Sequence, residues 1–179
     1  MKIYLDATTV ISLSSINELR LLNYINGDLT IPSKVLSEVT TQPAETNLER
    51  FLGSNEDIKV ERKTQLDDQD IEDACSLLGE NELNGDVQII AGVLRQLDRD
   101  QTETVVVSDD RRVRNTADSL GVSVTGTIGV VVNSVKKELP SQEGKEIIRR
   151  VDSRGLHMTG ELREKAYEMV EKADSESEK

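Results

Sequence analysis

The chain has 179 residues, room for one domain of ordinary size. Acids outnumber Lys plus Arg by 34 to 22, giving a formal charge of -12, and aromatic residues make up only 2%. No stretch approaches the roughly 18–20 apolar residues of a membrane span, and a single cysteine, Cys75, excludes an internal disulfide framework and a Cys-rich zinc site. The N-terminal run MKIYLD meets an acid at residue 6 and has no signal-peptide h-region, so a reducing cytoplasmic location is expected. A surface this acidic repels nucleic acid in dilute buffer. In roughly 1 M salt the Debye length falls to about 3 Å and most of that repulsion is screened. The composition is therefore read as that of a halophilic protein, the alternative being an ordinary acidic one.

The predicted elements alternate. Lys2–Asp6 is a short apolar strand ending in an acid. Val10–Ile25 has apolar residues at helical spacing, with a break near Ser14–Ser15, and Asn26-Gly27-Asp28 is a turn. Leu29–Ile31 is a strand stopped by Pro32, and Ser33 is the expected N-cap of a helix ending before Pro43. A short helix over Glu45–Leu52 and an edge strand over Asp57–Glu61 follow. Helices are expected over Asp67–Leu78 and Asn84–Leu97, then a buried parallel strand over Thr104–Val107. Arg111–Leu120 is helical and capped by Gly121, Val122–Val124 is a fifth strand, and helices lie near Ile128–Leu139, Glu143–Arg154 and Glu161–Lys172. The acidic tail, Ala173 to Lys179, is expected to be disordered. This pattern predicts an α/β fold: a three-layer α/β/α sandwich around a mostly parallel five-stranded sheet. The division is a core over 1–132, C-terminal helices over 133–172 packed on it, and the tail over 173–179.

Ligands of open α/β sheets bind beyond the carboxyl ends of the strands. Asp6 ends the first strand, and Asp109 and Asp110 end the fourth. Helical phase adds two acids. Glu38 lies three residues after Val35, toward the buried face, and Asp86 lies four before Ile90 on the apolar stripe of its helix. Asp110, three before Val113, extends the stripe of the next helix. Carboxylates are almost never buried without a partner, and several together raise one another's pKa. A hard divalent cation, Mg²⁺ or Mn²⁺, resolves that conflict. Each acid taken singly is equally well explained as a helix N-terminal cap.

In order along the chain, LDATTVISL, PSKVLSEV, GDVQIIAGV and VVVSDDRRVRNTA, followed by LGVSVTGTIGVV, resemble the motifs of the PIN-domain ribonucleases, from Met1 to about Val132. A stand-alone domain of this size resembles the VapC-type toxins of the prokaryotic branch and also archaeal RNA-processing factors. Asp6 with Thr8 matches the first motif, Glu38 the second, Asp86 with Ala91 the third, and Ser108 with Asp110 the fourth, where Asp109 offers an alternative register. The resemblance implies a Mg²⁺- or Mn²⁺-dependent endoribonuclease. Asp6, Asp86 and the Asp109/Asp110 pair would hold the metal, Glu38 would complete the site, and Thr8 and Ser108 would support it. RNA is the implied substrate, an antitoxin or other small protein and a homodimer the implied partners.

Arg111, Arg112 and Arg114 are candidates for the RNA backbone, with pairing to surface acids as the plainer expectation. Lys136–Lys137 and Arg149–Arg150 read as solvated faces. His157 is the only histidine and no catalytic role is expected of it; Thr159 is the expected N-cap of the last helix, whose stripe is Leu162, Ala166, Met169 and Val170. The competing readings are a non-catalytic PIN-like module binding RNA or protein, a DNA nuclease, and a phosphoryl-aspartate protein. The last is poorly served, because Asp6 lacks the Asp-x-Asp pattern of the phosphatases and no strand-end Lys suits a receiver domain.

Overall fold

In β1 (Lys2–Leu5), Ile3, Tyr4 and Leu5 are all fully buried, as a strand covered on both faces requires. A computed structural model, which describes residues 1–100 and 102–177, places β1 at the centre of a five-stranded sheet. The other strands are β2 (Asp28–Pro32), β3 (Lys59–Glu61), β4 (Thr104–Val107) and β5 (Ser123–Thr125), in the order β3-β2-β1-β4-β5. Every pairing is parallel, with Lys2 opposite both Asp28 and Thr104. The chain winds outward from β1 through β2 to β3, then returns to β4 on the other side. The direction of winding therefore switches between β1 and β4, and their carboxyl ends open a crevice there.

Helices cover both faces, completing the three-layer sandwich. One layer holds α2 (Ser33–Glu38), α4 (Asp68–Leu78), α5 (Gly85–Arg95) and α6 (Arg111–Ser119). The other holds α1 (Ala7–Ser15), α3 (Ala44–Ser54), α7 (Thr127–Lys137), α8 (Ser141–Val151) and α9 (Gly160–Ser177). α7 straddles residue 132, and α8 and α9 pack on it and on each other.

Several boundaries depart from the sequence expectation for identifiable reasons. The break expected near Ser14–Ser15 is where α1 ends, at Ser15, with Asn17 in a left-handed conformation (φ 58); the difference is that the chain resumes as a 3-10 segment over Leu19–Tyr24 and that α1 begins at Ala7. Ser33 is not an N-cap. It is the first residue of α2, and its hydroxyl stands 3.4 Å from Gln88 Oε1. α2 does end before Pro43, at Glu38, as Val39 leaves helical geometry and the β-branched Thr40 and Thr41 follow. The tail expected to be disordered continues α9 as far as Ser177, while Glu178 and Lys179 lie outside the described residues. Its apolar stripe extends further than expected, since Ala166, Val170 and Ala173 are buried at helical spacing, whereas Leu162 and Met169 are exposed. Thr159 does cap this helix, accepting from the Leu162 amide at 3.2 Å. Cys75 is partly buried against the core. Among the described residues no helix is long and apolar enough to cross a membrane.

A buried polar cluster locks β1, β3 and α2 to α5. Glu61 Oε1 accepts from Lys2 Nζ at 2.6 Å and from the Tyr4 hydroxyl at 3.1 Å. The fully buried Gln88 donates from Nε2 to the Glu61 carbonyl at 2.7 Å, and its Oε1 accepts from the Lys34 amide at 2.9 Å. Gly92 lets α5 lie directly over the Tyr4 ring: a Cβ there would stand 2.5 Å from the hydroxyl oxygen and 2.6 Å from Cζ. Gly92→Ala would gain about 1 kcal/mol of helix propensity. Tyr4 is held by Glu61 and cannot yield, so the overpacking cost of about 1–3 kcal/mol is expected to win. Urea unfolding should show a lower midpoint for the variant.

Candidate active site

Asp6 occupies the N-cap position of α1 but makes no side-chain cap bond. Its carboxylate turns instead into the crevice between β1 and β4, where the residue is only 1% exposed. Two hydroxyls converge on Oδ2: Ser108 Oγ at 2.5 Å and Thr8 Oγ1 at 2.7 Å. Both are oriented from behind. The Asp109 amide donates to Thr8 Oγ1 at 3.1 Å, and the Asp110 amide donates to Ser108 Oγ at 3.0 Å. Each hydroxyl therefore accepts from the β4–α6 loop and spends its own proton on Asp6.

Glu38, the last residue of α2, points its carboxylate at the start of α5 and accepts from the Gly85 amide at 2.8 Å. The approach depends on glycine, because a Cβ on Gly85 would lie 2.6 Å from Glu38 Oε1. Asn84 caps α5 by accepting from the Val87 amide at 2.9 Å, which leaves Asp86 in the first turn free to face outward from the helix end. Its Oδ2 pairs with Arg112 Nη2 at 2.7 Å.

The two candidates for the fourth acid divide their work. Asp109 uses both oxygens at the start of α7: Oδ1 accepts from the Thr127 amide at 2.9 Å and Oδ2 from the Thr127 hydroxyl. Asp110 caps α6 with one oxygen, Oδ1 accepting from the Arg112 and Val113 amides at 2.8 and 3.1 Å. Its Oδ2 has no hydrogen bond among the described residues.

The acids sense one another. Burial pushes the Asp6 carboxyl up; the Ser108 and Thr8 hydroxyls pull against that, and the Asp86 charge adds to it. Glu38 is exposed over much of its length, yet the enclosure of its carboxyl against α5 pushes it up. The Gly85 amide opposes this, and the charges of Asp86 and Asp6 reinforce it. The structure thus brings Asp6, Glu38 and Asp86 into one electrostatic neighbourhood and ties Asp110 to it through Ser108. It does not close them into a chelating cluster: among the described residues no three carboxylate, histidine or cysteine groups stand together as a metal-holding set. Two causes are visible, since Arg112 holds Asp86 and cap duty holds Asp110 Oδ1. The donors present are hard carboxylate oxygens, which suits Mg²⁺ or Mn²⁺ and not zinc.

Of the three arginines singled out beside the fourth motif, two are engaged within the chain. Arg112 is bound to Asp86 and Glu80, and Arg114 donates to the Ser108 carbonyl at 2.9 Å. Arg111 is exposed and has no side-chain partner among the described residues. Of the other basic residues singled out, Lys136 pairs with Glu176 and Arg149 with Glu146 on solvated faces, whereas Arg150 is half-buried and reaches inward to the buried Glu18 and the Ile16 carbonyl. His157 is exposed. Sequence reasoning missed Glu80, Thr9 and Thr127. Thr9 stands 3.5 Å from Asp109 Oδ2. No local periodicity marks any of the three, because each matters only through a partner on a distant element.

A family model described as a PIN domain matches residues 2–172, so the match takes in α8 and most of α9 as well as the motif-bearing part of the chain. No curated protein and no solved structure matches.

A carboxyl whose pKa is raised in the folded state binds its proton more tightly there than in the unfolded chain. Asp6 and Glu38 are both of this kind. Their penalty is absent below the ordinary carboxylate range of about pH 4, where both states are protonated. It grows as pH rises through the raised folded values. Without divalent ions, Asp6→Asn is therefore expected to be at least as stable as the parent at pH 7, with a gain of up to about 1 kcal/mol. Asn can still accept both hydroxyl bonds through its one oxygen. The advantage should vanish near pH 4 in denaturant titrations at the two pH values. A loss at pH 7 would instead identify the charge itself as stabilising.

Proposed function

The chain belongs to the PIN-domain family, a nuclease-type fold, and we propose that it is a Mg²⁺- or Mn²⁺-dependent endoribonuclease whose centre is Asp6, Glu38, Asp86 and Asp110. The observation that carries the reading is Asp6: a carboxylate 1% exposed at the winding switch of the sheet, held by two aimed hydroxyls and faced by further acids. So costly an arrangement has no structural gain that an Asn would not also provide.

A bound divalent cation would lower the pKa of a water nucleophile and relieve charge at the phosphoryl oxygens. Asp6, Asp86 and Asp110 Oδ2 are the groups to hold it, and Asp109 is set aside because both its oxygens serve α7. Glu38, fixed on one oxygen by Gly85, keeps the other to accept a proton from the attacking water. Thr8 and Ser108 keep Asp6 in one orientation, so that it need not reorganise during the reaction. Of the three arginines beside the fourth motif, Arg111 is the one without a side-chain partner among the described residues, and it is the candidate for the RNA backbone. Two biological roles suit this activity: a VapC-like toxin silenced by a small antitoxin, or an RNA-processing factor, in either case in the cytoplasm. A short open reading frame directly upstream would favour the toxin. A homodimer belongs to the same reading.

Labelled single-stranded RNA should be cut in Mn²⁺ or Mg²⁺, at molar KCl so that the -12 charge is screened. EDTA should stop the reaction, and DNA of the same sequence serves as the comparison substrate. Asp6→Asn and Asp86→Asn are each expected to abolish cutting. Ser108→Ala, which removes one hydroxyl from Asp6, is expected to cost about 10–100-fold, the usual weight of an outer partner. Cutting that survives both acid substitutions, or ignores the chelator, overturns the proposal. Binding of RNA without any cutting would favour a non-catalytic module.

A further inference from the structure

Arg112 sits where its own helix does not want it. It is in the first turn of α6, and a cation near a helix N-terminus costs about 0.3–1 kcal/mol. What compensates it comes from outside α6. Nη2 lies 2.7 Å from Asp86 Oδ2 on α5, and Nη1 contacts Glu80 Oε1 just beyond α4. Among the described residues Asp86 is the one acid of the Asp6, Glu38, Asp86 and Asp110 set that carries an ion pair. The others rely on hydroxyls or amides.

The pair lies at the solvent boundary: the Arg112 side chain is 46% exposed and that of Asp86 19%. A pair this wet is worth about 0–1 kcal/mol, enough to bias a side chain and too little to hold it against a stronger competitor. A guanidinium on Asp86 Oδ2 repels a dication drawn to the same carboxylate, so the two compete for its charge although Oδ1 carries no hydrogen bond among the described residues.

The geometry points to Arg112 as the resident counter-cation of the carboxylate pocket, a positioning residue that holds Asp86 while the pocket lacks metal and yields it when a divalent cation enters. Its length and exposure let it withdraw onto Glu80 alone. The inference rests on the divalent-metal reading above and adds a competitor to it: metal affinity is set partly by a side chain that is no metal ligand.

Calorimetric titration of Mn²⁺ into the full chain tests this, with Arg112→Gln, Arg112→Lys and Asp86→Asn beside the parent, and melting followed in EDTA. Arg112→Gln is expected to bind Mn²⁺ about fivefold tighter, the weight of one partly exposed ion pair. It should melt lower in EDTA and gain more from added Mn²⁺. Arg112→Lys, which keeps the charge but loses the fork, should fall between and covers the case in which the Gln variant fails to fold. Unchanged or weaker Mn²⁺ binding by Arg112→Gln, with binding lost in Asp86→Asn, would make Arg112 a strut between α4, α5 and α6. That outcome overturns the inference and leaves the metal reading standing. Absence of Mn²⁺ binding in every variant and the parent would overturn both.

Discussion

A carboxylate buried at the end of a central strand has to be accounted for by everything near it. Asp6 is accounted for by two hydroxyl protons on one oxygen, and those protons are aimed by two backbone amides of the β4–α6 loop. The loop, the start of α1 and the tip of β1 are thereby a single hydrogen-bonded unit. Neither side of the crevice can shift without turning Asp6. The remaining acids are brought to this fixed point by helix packing, α2 against α5 and α5 against α6.

Helix ends make the gathering of negative charge tolerable. α1, α5 and α6 all begin at the carboxyl edge of the sheet, and each brings the positive end of its dipole to an acid: Asp6, Asp86 and Asp110 respectively. For α1 and α6 this is a consequence of topology, since each directly follows its strand in a parallel sheet, whereas α5 follows α4 and leads back toward β4. The cap explanation and the catalytic explanation for these acids are thus not exclusive. Asp110 serves α6 with one oxygen and leaves the other open, whereas Asp109 is consumed by α7.

Apolar runs were sufficient to place all five strands, and helical phase put Glu38 and Asp86 on faces where their charges reach each other. Phase reports which face a residue occupies, and it is blind to which oxygen meets which donor. The division of labour between Asp109 and Asp110 was therefore invisible: it is decided by Thr127, in the next strand–helix unit. Pairing of Arg112 with an acid is the plainer reading of the arginine run, but that the acid is Asp86 is not legible, because the two stand on different helices. Ser33 was misjudged because a hydroxyl before a helix is an N-cap only if nothing else claims it, and Gln88 does. The tail was misjudged from its charge, which hid a small-residue stripe ending in a buried Ala173.

Gln88 gives the last of these contacts a wider meaning. Its amide nitrogen reaches the end of β3, and its amide oxygen reaches the first turn of α2, the helix that ends in Glu38. One uncharged side chain, two residues from Asp86 on the same helix, thus ties α5 to the start of the helix that ends in Glu38. Deamidation to Glu would turn an acceptor toward the Glu61 carbonyl, next to a carboxylate that already has an unpartnered oxygen. Ageing of a buried amide would in this way loosen the spacing of the acids without touching any of them.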